Sequence, residues 1–371
     1  MGFIKKKSKV CIVVDHVLQH YRVPLFKLLV EKGYDLTICY PAHFKRPSPK
    51  IEELDLDLAK RLSDKPHKVK SFLGIYFFGI GNLNKYDVVI FMQDLRVLDF
   101  WIATLNPFKK YSLFHWGIGI SSFEGNNWIN SRIRNFLAKF ADSLILYSEK
   151  SMEYYSKKIK ERIVIAHNTV ENPLSENLAS SGKDSFLFIG RLEQRKGLTE
   201  LLRAFSEYLD NSHSLDIQKL VIIGEGEMEA TLLKLAKDLQ IKKNVTFVGS
   251  IKSDALKKEY FKKAQLCISM KQAGLSVLEA FSYGIPFVTM KNATTGGERF
   301  NIIHNKTGFL VDSEADLTDL LHYAQKNPEL ISEVGSNAYR LYSEERTMEK
   351  MGRVFEQEID RVLMKKCPGC L

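Results

Sequence analysis

Between Ser185 and Asp312 the chain alternates short apolar runs with glycine-bearing turns and amphipathic stretches: FLFIGRLEQRKGL, VIIGEGEMEATL, NVTFVGSI and GLSVLEAFSYGIPFVT, then TGGERFN. Strands that alternate with helices imply a parallel sheet. Open parallel sheets take their ligands at the carboxyl ends of the strands. The charged and glycine residues of this region fall just past the predicted strand ends, so they are expected to line one site. Their chemistry suits a phosphorylated nucleotide.

The first half carries a second α/β pattern. Lys9–Val14, Asp35–Tyr40, Asp87–Met92, Tyr111–His115, Ser143–Tyr147 and Arg162–Ala166 are predicted strands. Tyr21–Glu31, with Pro24 in its opening turn, Trp128–Phe140 and Glu149–Lys158 are predicted helices. The proline- and charge-rich stretch 41–70 is expected to be a loop with short helices. At 371 residues two domains are the default. The expected division is 1–170, a polar linker at 171–183, then 184–345, with a last helix over 346–371 packing back toward the first domain. The fold class is α/β, with two facing Rossmann-like domains and a cleft between them.

A net charge of +10 points to an anionic partner, either a nucleotide or a membrane surface. Nucleic acid is not expected, because basic and aromatic residues are not interleaved and no binding motif is present. Cys11, Cys39 and Cys267 lie in apolar runs as buried thiols, and Cys367-Pro-Gly-Cys370 is a lone tail pair without zinc spacing. With no disulfide framework the expected compartment is the cytoplasm. The apolar run Ser71–Gly81 is too short to cross a bilayer. Flanked by Lys68, Lys70 and Lys85, it is either a segment resting on the inner face of an anionic membrane or a buried helix.

Arg191 and Lys196 bracket a strand-to-helix turn ending at Gly197, an arrangement suited to an anion. Gly274 follows a predicted strand, and Glu279 sits one turn into the next helix. There it is either a carboxylate favoured by the helix dipole or an acceptor for ribose hydroxyls. Gly296, Gly297 and Glu298 form a flexible polar turn whose amides are expected to approach a phosphate. GEG at Gly224–Gly226 lacks the third glycine of a dinucleotide fingerprint. Asp55 and Asp57 form an Asp-x-Asp pair in a polar loop and are expected to hold no metal.

In order and spacing these motifs resemble the donor half of GT-B fold glycosyltransferases, specifically the retaining, nucleotide-sugar-dependent family four. The resemblance implies an enzyme of the hexosyltransferase type with no cofactor or metal, a UDP-sugar donor, and a glycan or lipid-linked acceptor of polysaccharide biosynthesis. It assigns catalysis to Arg191, Lys196 and His115. Donor binding falls to Gly190, Arg191, Lys196 and Gly224, to Ser250 and Ile251 at the base, and to Gln272, Gly274, Leu275, Ser276 and Glu279. Gly297 and Glu298 complete the donor set. Tyr21–Phe26 is similar to an opening-helix signature of polysaccharide-assembly transferases. His115, in HWGIG, is equally open to a structural role, and His167-Asn168 is expected to act as a hinge. One departure stands out: Lys271 occupies the place of the family's first glutamate, and a cation cannot accept hydrogen bonds from sugar hydroxyls. A nucleotide-sugar epimerase of the same fold and a non-catalytic donor-binding subunit are the alternatives.

Overall fold

The computed structural model describes residues 7–44, 46–119, 128–180, 182–211 and 217–366. Cys367 and Cys370 lie outside the described residues. The chain divides into two compact units, Met1–His167 with Met348–Leu371, and Asn168–Thr347.

The first unit is built on a seven-stranded parallel sheet. Its strands are β1 (Lys9–Val13), β2 (Asp35–Pro41), β3 (Ser63–His67), β6 (Val88–Met92), β7 (Ser112–Gly117), β8 (Ser143–Leu146) and β9 (Ile163–Ile165), in the order β9-β8-β7-β6-β1-β2-β3. A hairpin of β4 (Lys70–Phe72) and β5 (Ile75–Phe77) stands apart from it. The central strands are buried on both faces, which explains their unbroken apolar runs. Helix α1 (Val23–Glu31) buries Leu25, Phe26, Leu29 and Val30 at helical spacing. Helix α2 spans Leu98–Leu105 and α3 spans Trp128–Ala138.

The second unit has a six-stranded parallel sheet of β10 (Ser185–Ile189), β11 (Lys219–Ile223), β12 (Val245–Gly249), β13 (Ala264–Ile268), β14 (Phe287–Met290) and β15 (Gly308–Val311). Its order is β12-β11-β10-β13-β14-β15. Its helices are α4 (Leu198–Asp210), α5 (Glu229–Asp238), α6 (Asp254–Lys263), α7 (Ser276–Phe281), α8 (Glu314–Lys326) and α9 (Pro328–Glu345).

The last helix, α10 (Met348–Lys366), belongs to the first unit. Gly352 lets it approach α1, since a Cβ there would stand 2.9 Å from Leu28 Cδ1. Phe355 meets Trp116 edge to face at 5.1 Å, and Tyr34 donates to Asp360 at 2.7 Å. Burying a side chain such as Phe355 contributes roughly 1.5–3 kcal/mol.

Three local expectations differ. Residues 149–158 are not one helix: a turn over Glu149–Tyr154 is separated from Lys157–Lys160 by extended Tyr155 and Ser156. The stretch 41–70 ends in β3, an edge strand whose sequence SDKPH is polar and carries Pro66, as only an edge tolerates. The segment expected as a linker is bonded into the second unit, with Glu176 N–H donating to Ser282 O at 3.1 Å and Leu178 N–H to Tyr283 O at 3.0 Å. The carbonyls of Ser282 and Tyr283, just past the end of α7, are satisfied by this extended segment rather than by the helix's own turn.

Candidate functional site

In the second sheet β10 has β11 on one side and β13 on the other, so the strand order reverses between β10 and β13. That reversal opens a crevice at the carboxyl ends, where doubly wound sheets bind ligands. Glycines make the crevice narrow. A Cβ on Gly224 would lie 1.8 Å from Gly190 O, so the turns after β10 and β11 touch backbone to backbone. Gly197 has φ +72°, and a Cβ there would lie 2.8 Å from Met270 Cβ and 2.9 Å from Lys271 N. Only glycine lets the turn after β10 press against the loop after β13 in this way.

This contact places Lys196 between the two loops. Its ammonium lies 3.6 Å from where a Cβ on Gly274 would stand, and its Cε 3.8 Å from the same position on Gly190. Among the described residues the ammonium makes no hydrogen bond or ion pair, although the Lys196 backbone does. Burial, then the Arg195 charge, push its pKa down to about 8 against the pull of Glu298 and Glu193. Nearby, the hydroxyl of Ser276, at the head of α7, is buried without a partner. Gly274 and Leu275 form the turn that leads into it. The glycine before α4 offers no side chain to the amides of that helix's first turn. An unsatisfied cation, a free hydroxyl and uncapped amides at one strand-end crevice form a receptor for an anion.

The other expected donor residues are already engaged. Arg191 Nε pairs with Glu193 at 2.8 Å, and the other oxygen of Glu193 holds Arg195. Burial works to raise the Glu193 pKa, but the arginines bring it below the ordinary carboxylate value. Arg195 also donates to Gln272 Oε1 at 2.9 Å. Glu279 accepts from Lys257 at 2.9 Å, which also reaches Asp254 at 2.7 Å. Burial opposes the Lys257 charge, yet these carboxylates hold its pKa above the ordinary value. Lys271 is paired with Glu200 of α4. The Ser250 amide donates to Glu225 at 3.3 Å, and Ile251 is half-buried against the core of this unit.

Three of the expected residues spend their polar groups within the protein. Glu298 is buried, accepting from Asn168 Nδ2 at 2.6 Å and from the Gly296 amide at 2.9 Å. The Gly297 amide donates to Thr295 Oγ1 at 3.0 Å. Both hold their own loop together, Glu298 as a buried carboxylate that needs hydrogen-bond donors and Gly297 through the Thr295 hydroxyl. His115 is buried in β7, with Nε2 3.1 Å from Thr104 Oγ1 and its ring 4.7 Å from Phe100. Burial pushes its pKa down to about 3, so it stays neutral in the core. The structural role left open for it is the one the geometry supports. Asp55 caps a helical turn through the Leu58 amide at 2.9 Å. His167 pairs with Glu149 at 3.3 Å within the first unit, and Asn168 begins the second.

The first sheet has its own reversal, between β1 and β6. Residues not singled out from the sequence sit there. His16 Nδ1 lies 2.5 Å from Asp15 Oδ1 just past β1, and Asp94 binds Arg96 at 2.6 Å just past β6. Burial raises the Asp94 pKa, but Arg96 outweighs it and brings it down. An acid placed directly after each apolar run, in VVDH and FMQD, was the available signal. Arg22 is buried, its guanidinium 4.5 Å from the Trp116 ring and donating to the Tyr147 hydroxyl at 2.6 Å.

Residues 171–341 match the family described as Glycosyl transferases group 1. The chain is similar to an uncharacterized glycosyltransferase of Haemophilus influenzae, 25% identical over 71% of this chain and 74% of the relative. It also resembles the GDP-mannose-dependent alpha-(1-6)-phosphatidylinositol monomannoside mannosyltransferase of Mycobacterium tuberculosis, 31% identical over 34% of each chain. Among solved structures, Anabaena Alr3699/HepE in complex with UDP superimposes with a TM-score of 0.69 at 16% identity, covering 95% of this chain and 100% of that one. The family match thus covers most of the second unit, and the fold of the chain is that of the GT-B structures it superimposes on.

Proposed function

We propose that the chain acts as a glycosyltransferase whose second unit binds a nucleoside diphosphate sugar, UDP-linked, through Lys196. The first unit takes a glycan or lipid-linked acceptor of cell-surface polysaccharide assembly. The observation that carries this reading is the half-buried, unpartnered ammonium of Lys196 at the strand-order reversal. Removing a cation from water without a counter-ion is costly, and a pyrophosphate supplies the missing charge. The buried Ser276 hydroxyl is free to donate to a second phosphate oxygen. Arg191 and Arg195 share one carboxylate on the surface, a pairing worth about 0–1 kcal/mol, so a doubly charged ligand can recruit them. Glu279 keeps an oxygen for ribose hydroxyls while Lys257 holds its orientation.

In the transfer, the acceptor hydroxyl attacks the anomeric carbon as the bond to the diphosphate breaks. The hydroxyl proton passes to the departing phosphate oxygen on the same face, which retains the anomeric configuration. Lys196 stabilises the charge that develops on that phosphate, the role a divalent ion plays elsewhere. Membership of family four, the UDP base and the metal-free route all belong to this reading. The UDP complex of the Anabaena neighbour and the GDP-mannose dependence named for the Mycobacterium relative both support a nucleotide-sugar donor. The lipid-borne substrate named for the Mycobacterium relative favours the acceptor class.

Calorimetry against a panel of nucleotide sugars tests the reading. UDP-sugars should release heat with the native protein and none with Lys196→Ala, in buffer containing EDTA. Equal heats from both proteins would contradict the assignment.

A further inference from the structure

The run 71–81 had two readings, and the structure shows neither a buried helix nor a covered strand. It forms the β4–β5 hairpin, with Phe72 paired to Ile75 across a two-residue turn of Leu73 and Gly74. Phe72 is 76% and Leu73 87% exposed, and Ile75 and Phe77 are also open to solvent. Leu73 has φ +48°, a left-handed conformation that a leucine adopts only at a cost and that asparagine or glycine adopts readily. Neither strain relief nor burial within the chain explains a leucine at this tip.

The apolar surface continues beyond the hairpin. The Tyr76 amide bonds Arg96 O at 2.7 Å, which ties the hairpin to the start of α2. Helix α2 buries Phe100 and Ala103 inward, yet its outer side carries exposed Leu98, Ile102 and Leu105, spaced one turn apart. Phe108 follows, 81% exposed, and the neighbouring α3 exposes Ile129 and Phe136. Charge on these segments is almost all of one sign: residues 65–86, 98–119 and 128–141 hold nine Lys or Arg and one acid, Asp99, which is buried and bonded to the amides of Phe78, Gly79 and Ile80. Lys68, Lys70, Lys110 and Lys139 among them are exposed.

We propose that this face of the first unit is an interfacial anchor for an anionic lipid bilayer. The hairpin tip and the outer side of α2 enter the headgroup–acyl boundary, and the lysines meet lipid phosphates. An exposed apolar patch ringed by cations has the chemistry of such a surface. A second copy of the chain is a poor occupant, because it would bring the same cations to the contact and repel. No helix among the described residues is long and apolar enough to cross a membrane, so the attachment is to one leaflet. The proposal does not depend on the donor reading.

Vesicle co-sedimentation of the full chain tests it. The protein should pellet with phosphatidylglycerol-containing vesicles at low salt and much less with pure phosphatidylcholine, and added salt should release it. Leu73→Asn relieves the turn, so it should keep or raise the melting temperature while weakening vesicle binding by about tenfold. Lys68→Gln with Lys70→Gln should reduce the preference for anionic vesicles. The proposal is overturned if the native chain does not pellet at low salt, or if Leu73→Asn pellets as well as the native chain. It is also overturned if light scattering shows a dimer that Leu73→Asn dissociates, which would make a second copy the occupant.

Discussion

Each unit reverses its strand order beside its first strand, yet the two reversals hold different chemistry. In the second unit the strand ends are stripped to backbone by Gly190, Gly224 and Gly197, and the one inward cation has no partner among the described residues. In the first unit the strand ends carry Asp15 with His16 and Asp94 with Arg96, side chains that already satisfy one another. A site that lacks a counter-charge and leaves room for close backbone approach is prepared for an anion. Under the proposed function, the paired polar side chains of the first unit would exchange hydrogen bonds with the hydroxyls of the acceptor. One topology thus carries two different sets of side chains, decided by the residues just past each strand end.

The sharpest way to break this contrast is Gly224→Ala. The added Cβ would have to displace Gly190 O, and the backbone φ of +140° is itself unfavourable for alanine. A loss of about 3 kcal/mol or more is expected, seen in calorimetry as a much lower melting transition for the second unit. An unchanged transition would show that the strand-end contact is not rigid.

Lys196→Ala should leave the fold intact and lower kcat by about 10²–10³, the usual effect of removing one charge-stabilising donor. The same residue predicts a pH dependence. Its pKa is about 8 without ligand. A bound diphosphate favours the charged form and raises that value. Affinity should therefore be fully present below about pH 8 and weaken as pH climbs from there toward the raised, ligand-bound value, by at most about tenfold per pH unit. A flat profile from pH 7 to 10 in the native protein would remove Lys196 from the diphosphate.

At the first reversal, His16→Ala should cost about 10–10² in kcat/KM for the acceptor while leaving UDP affinity unchanged. A change in UDP affinity instead would erase the distinction between the two units. The smallest effect on turnover is expected for His115→Gln, because His115 stays neutral in the core. It should lower stability by about 1–3 kcal/mol through the Thr104 contact, with kcat per folded molecule unchanged.

Legibility in the sequence followed burial. FLFIG, VIIG and FVG could be read as strands because parallel strands covered on both faces must be apolar throughout. SDKPH could not, since an edge strand needs no such pattern. Gly74 marked a turn, but the apolar residues on both sides of it carry the same composition as a buried helix, and only their exposure separates the two. Lys271 could be recognised as a departure, while its neutralisation by Glu200, 71 positions earlier in the chain, could not. The sequence puts His115 at the end of a predicted strand and Glu298 in a glycine turn, both positions suited to a site. Thr104, Asn168 and the Gly296 amide, brought in by the fold, use their polar atoms instead.

The order and type of the strands and helices, and the glycine and cation at the turn after β10, were written in local sequence, because periodicity and turn chemistry act within a few residues. Which charges remain unpaired was decided by tertiary structure alone. A counter-ion can come from anywhere in the chain, and Lys196 differs from Lys257 and Lys271 in that folding brings no carboxylate of the described residues to ion-pair distance from its ammonium.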